Sequence, residues 1–77
     1  MEPWCLRRFG GITCELGVAQ ATDTAFVAWA LRVAADGRRS PLFDREGGLL
    51  LRRAATAEEA IASVRRQVTI VLGPEQT

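Results

Sequence analysis

Three groups of side chains in this sequence are of kinds that do chemistry. They are the carboxylates of Glu58-Glu59 and of Asp44-Arg45-Glu46, the thiols Cys5 and Cys14, and the arginine pairs Arg7-Arg8, Arg38-Arg39, Arg52-Arg53 and Arg65-Arg66. Two adjacent glutamates suggest a general acid and base. Neighbours on a helix, however, point about 100° apart, so they cannot converge on one bond. Local structure accounts for them instead. Thr56-Ala57-Glu58-Glu59 has the spacing of a capping box, in which the Thr56 hydroxyl accepts from the Glu59 amide and the Glu59 carboxylate returns to the Thr56 amide. "DREGG" opens like a calcium loop, with Asp44 and Glu46 in the first and third places. It then puts Gly48 in the fifth place and Ala55 in the twelfth, where a bidentate glutamate is needed, and reads better as a turn.

The rest of the catalytic vocabulary is missing. Histidine, lysine and tyrosine are all absent, which closes Ser-His-Asp and Cys-His arrangements, Walker A loops and Schiff bases. Two cysteines do not complete a tetrahedral zinc site within one chain. The expectation is a protein that is not an enzyme, with no catalytic, cofactor or metal residues.

What remains distinctive is arginine, the sole cation, set against nearly as many acids for a net charge of +1. That balance is not the cationic excess of a polyanion binder. In a strand, the members of an adjacent pair face opposite ways, so a doublet does not make a surface doublet. One member of each could still join others on an exposed sheet face, and Arg8, Arg32, Arg52 and Arg53 are the candidates. Arg65 and Arg66 would lie on a helix.

The elements that must position these groups follow from spacing. Trp4 to Phe9, Gly10-Gly11 and Ile12 to Val18 read as a hairpin with a two-residue turn, one face apolar at period two. That turn sets Phe9 opposite Ile12 and Cys5 opposite Leu16. Cys5 and Cys14 then lie on a diagonal too long for a disulfide, so two thiols are expected. Thr22 to Gly37 alternates large and small apolar residues. Its apolar groups would cover more of a helical wheel than a small domain's surface helix carries, so a strand is expected, with Asp36-Gly37 as its turn. Short strands at Pro41 to Phe43 and Leu49 to Arg53 flank the DREGG turn. Ala57, Ala60, Ile61, Val64 and Val68 recur at helical spacing, and the helix is expected to run to Leu72 before Gly73-Pro74. Residues 73–77 read as a flexible tail, and the first two or three residues as loose.

The fold class is therefore α+β: an antiparallel meander of four to five strands with one C-terminal helix, in a single small domain, 1–77. A ββα-ββα duplication is the alternative, since Gly-Gly, a strand and a threonine recur from Gly10 and from Gly47. The stretch Thr56 to Ala60 resembles the opening of the helix in antitoxin-type proteins of the HicB class, which place a three-stranded sheet before it. Those residues alone match and the spacing back to the glycine departs, so no family is assigned.

A chain of 77 residues buries roughly 60% of its unfolded surface, which makes a partner or a homodimer a fair expectation. There is no signal-like segment, the longest apolar run is Ala25 to Leu31, and the cysteines are few. A bacterial protein of the reducing cytoplasm, away from membranes, is expected. Trp29 is expected in the core, while Trp4 is exposed and able to anchor a partner, and Ile70 is spare apolar surface on the helix. The functional expectation is a small regulator, inhibitor or immunity-like factor that binds another protein. A nucleic-acid-binding module using arginines on the sheet is the alternative.

Overall fold

A computed structural model describes residues 4–76. Its elements run β1 (Trp4–Phe9), β2 (Ile12–Thr22), β3 (Ala25–Val33), β4 (Arg39–Pro41), β5 (Leu51–Ala54), α1 (Ala57–Leu72) and β6 (Glu75–Gln76). All strand pairs are antiparallel, in the order β4-β3-β2-β1-β6, and β5 pairs with β3 further along the edge that β4 uses. This is the expected α+β meander with one helix. The duplicated arrangement fails because residues 25–33 form a strand.

The first hairpin follows its glycines. Gly10 and Gly11 take φ of 57° and 85°, which a type I′ turn requires of both central residues. Phe9 then stands opposite Ile12, and Cys5 opposite Leu16. Both cysteines are free thiols. Burial pushes the Cys14 thiol up, a shift that the charge of Arg32 only partly offsets. β2 outruns the predicted Val18 because β3 supplies partners as far as Thr22, past an irregularity after Gln20.

Around the DREGG turn the strands are displaced outward from their predicted positions. β4 ends at Pro41 and β5 begins at Leu51, with an isolated Phe43–Leu49 bridge between them. The cause is burial: Leu42 and Leu50 turn into the core, and the Leu50 amide donates to the Leu42 carbonyl. At the tip, Asp44 Oδ1 accepts from the amides of Glu46 and Gly48, at 2.9 Å each. Gly47 supplies the positive φ of 88°. The stretch is a turn closed by its own aspartate.

Thr56 caps α1, its hydroxyl accepting from the Glu59 amide at 3.1 Å. The return bond of the capping box is not formed among the described residues. Ala60, Val64 and Val68 form the buried stripe, packing on Phe9, Cys14, Leu16, Ala28 and Ala30. Of the two faces of β3, α1 thus covers the one carrying Ala28 and Ala30. A helix axis packs closely against a sheet only where the intervening side chains are short, and alanines on β3 provide that room.

Residues 75–76, within the segment read as a tail, instead form β6 against Phe9 and Arg8 of β1. Three contacts fasten it. Arg65 reaches the Glu75 carboxylate at 2.6 Å, Arg7 approaches its other oxygen at 3.7 Å, and the Gln76 side chain accepts from the Gly11 amide at 2.6 Å. The expectations for the first three residues and for Thr77 lie outside the described residues.

Candidate functional site

With α1 on one face of the sheet, the described residues leave the other face uncovered. Strand register assigns to it Trp4, Leu6 and Arg8 from β1, Glu15 and Gly17 from β2, Val27, Trp29, Leu31 and Val33 from β3, Arg39 from β4, and Leu51 and Arg53 from β5. Leu6 and Leu51 are 44% and 50% exposed, and Trp4 37%. Phe43 and Leu49, paired with each other at the neighbouring edge, are exposed as well. Arg8, Arg39 and Arg53 stand among these apolar groups on the same face.

Its centre is built on a glycine. Gly17 pairs with Trp4 on one side and Trp29 on the other, and the Trp29 indole lies over the space a side chain would occupy. The Trp29 Nε1–H donates to Glu15 Oε2 at 2.9 Å, and Arg39 Nε donates to Glu15 Oε1 at 2.6 Å. The Arg39 guanidinium in turn lies 5.7 Å from the centre of the Trp4 ring, within cation–π range. Glu15 is 8% exposed, yet both its oxygens are occupied. The result is an aromatic and aliphatic surface whose central polar groups, Glu15, Trp29 and Arg39, satisfy one another.

Gly17→Ala should therefore swing the Trp29 ring off the sheet and break its bond to Glu15. The expected loss is about 1–3 kcal/mol, with a red shift in tryptophan emission. Unchanged emission and an unchanged denaturation midpoint would rule this packing out.

Glu15 is held below the ordinary glutamate range, first by the Trp29 indole donor and then by Arg39, against the opposing effect of burial. Asp44 is also held low, chiefly by its bond from the Gly48 amide. Carboxyls depressed in this way stabilise the fold above their unfolded pKa values, about 4, and that contribution fades as pH falls through the lower folded values. Stability should decline on acidification below about pH 4.5. Glu15→Gln should remove part of that slope and Asp44→Asn another part, as urea denaturation across the range would show.

The arginine pairs divide between the two sides. Arg7 Nη1 donates to the Leu6 carbonyl and Arg52 Nη1 to the Leu51 carbonyl, both at 2.9 Å, each blunting a strand edge beside its own position. Arg7 and Arg52 also reach Glu75 and Asp44 on the helix side. Their neighbours Arg8 and Arg53 face the uncovered surface, at opposite corners. Of the predicted residues, the structure thus places Trp4, Arg8 and Arg53 on one face, with the two arginines far apart. Arg32 is opposite Cys14, on the helix side of the sheet, because the alternation that exposes Leu31 turns Arg32 the other way. Arg52 is turned away for the same reason. Arg65 is bonded to Glu75, Arg66 is exposed on α1, and Ile70 is exposed on α1 far from the face, its carbonyl accepting from Arg45.

Trp29 lies outside the core, contrary to expectation, since the helix takes the alanine side of its strand. Sequence reasoning also missed Leu6, Glu15, Leu31, Arg39 and Leu51. The alternation of β2 pointed to Glu15, the one acid opposite the apolar stripe of that strand. Among the described residues no group of three or more His, Cys, Asp or Glu is placed to hold a metal ion, and no helix is long and apolar enough to cross a membrane.

Comparison with known protein families, curated proteins and solved structures finds no significant match to this chain.

Proposed function

We propose that this protein works by binding another protein chain through its uncovered sheet face, as a small regulator, inhibitor or immunity-like factor, without catalysing a reaction. The observation that carries the reading is the joining of Trp4, Leu6, Trp29, Leu31 and Leu51 on one exposed face around an internally neutralised Glu15–Arg39 pair. Large, rigid aromatic groups at the centre of a surface are the usual anchors of protein interfaces, with arginine prominent among their neighbours. The carboxylates support the same reading: Glu15, Asp44 and Glu75 are each engaged in the fold's own hydrogen bonds.

One observation favours a second reading. Two indoles share a face with Arg8, Arg39 and Arg53, and single-stranded nucleic acids stack on such platforms. Salt separates the two. Capture from the native host by immobilised protein should yield a protein retained between about 50 and 200 mM salt, as expected of an apolar interface. Leu51→Arg should lose it. Retention of nucleic acid alone, released over that salt range, would replace the protein reading with the second. Turnover of a small molecule by the purified chain, abolished by Glu15→Gln or Glu58→Gln, would overturn both.

A further inference from the structure

Resting on the reading of the uncovered face as a protein-binding surface, we infer that its occupant is a second copy of this chain, packed sheet to sheet. The first argument is extent. Four strand widths by about seven residues span roughly 20 Å by 25 Å, so two such faces cover on the order of 1,000 Å² in projection. That is near the lower bound for a specific interface, so a stable partner must cover the whole face rather than a corner of it. A twisted sheet packs fully against another sheet of like twist, the two strand directions lying about 30° apart. A second copy presents a face of equal size and twist.

The second argument is charge. The centre holds one acid and one arginine, Glu15 and Arg39, bonded to each other. The Trp29 N–H is taken by the same acid, and no buried side-chain polar atom among the described residues lacks a partner. Nothing at the centre requires a complementary group from outside, and two copies meet there without opposing net charge. Arg8 and Arg53, which form no ion pair among the described residues, stand at the corners, where a rim stays in water. Edge-to-edge association is the other route by which sheets self-assemble, and the side chains of Arg7 and Arg52 blunt it.

The third argument is the core. Among the described residues the ten buried apolar ones include three alanines and a cysteine, and neither tryptophan. Small domains with modest cores gain stability by oligomerising.

Sedimentation equilibrium tests this directly. The 8.4 kDa chain should run at twice its mass and dissociate over about a hundredfold dilution. Leu51→Arg and Leu6→Arg should run as monomers, with strand and helix content unchanged by circular dichroism, while Ile70→Arg on the exposed side of α1 should remain dimeric. Acrylamide quenching needs no variant: both tryptophans should be shielded in concentrated protein and become accessible on dilution. A dimer indifferent to Leu6→Arg and Leu51→Arg, with freely quenched tryptophans, overturns the inference; the reading beneath it falls if capture from the host also returns no protein that Leu51→Arg loses. A monomer at every concentration overturns the inference alone and leaves the face to a different protein, which the capture experiment then identifies.

Discussion

Gly10→Ala should cost about 3 kcal/mol or more, while Gly11→Ala, one residue along the same turn, should cost about 1 kcal/mol. Both glycines have positive φ, so both substitutions carry the steric penalty of an L-residue in the left-handed region. They differ in what lies above them. A methyl on Gly10 would fall on the Leu72 carbonyl oxygen at the end of α1, whereas a methyl on Gly11 meets nothing. The obstruction is backbone and cannot rotate away. The Gly10 amide also donates to the Pro74 carbonyl at 3.1 Å, so the turn, the end of α1 and β6 would shift together. For a domain of this size total stability is on the order of 5 kcal/mol, and Gly10→Ala should leave about 2 kcal/mol or less, with about 3% or more of the chains unfolded at room temperature. Equal denaturation midpoints for the two variants would show that α1 does not end against the hairpin.

The second large effect runs against hydrophobic intuition. Ala28→Leu, a change from one apolar residue to a larger one, should destabilise by about 2–3 kcal/mol, whereas Val27→Thr beside it should cost under about 1 kcal/mol. Ala28 is fully buried beneath α1, and extra methylenes there must lift the helix or force strained rotamers. Val27 is on the other side, paired with Arg53 at the corner of the face, where a rim stays in water and a hydroxyl keeps its hydrogen bonds. Urea midpoints for both variants, with helix content by circular dichroism, check the order. A neutral Ala28→Leu would mean that α1 does not rest where the structure puts it.

That contrast also locates what the sequence conceals. Glycine turns, alternation and capping are local signals, and they mark the hairpin, β3 and α1 correctly. The side of the sheet that receives the helix is not a local property. On β3 the bulkier apolar set, Val27, Trp29, Leu31 and Val33, looks like the core side, and the expectation for Trp29 followed from it. Closeness of helix approach decides otherwise and favours Ala28 and Ala30. Once that choice inverts, the site changes with it: Arg32 and Arg52 turn to the helix side, while Trp29, Leu31 and Leu51 come to the open surface. Register explains Arg8 and Arg53, which a strand reading already allowed. β6 was illegible because two residues carry no period, and only the distant partners Arg65, Arg7 and Gly11 hold it.

The long reach of that last strand has a kinetic consequence. Each pairing among the first three strands joins neighbours along the chain, so those hairpins can close early and quickly. The bond between the Gly11 amide and Gln76 spans 65 residues and must await the docking of α1. Amide hydrogens of β2 and β3 should exchange with solvent slowest, and those around residues 75 and 76 should open first, as a latch that releases before the sheet it secures.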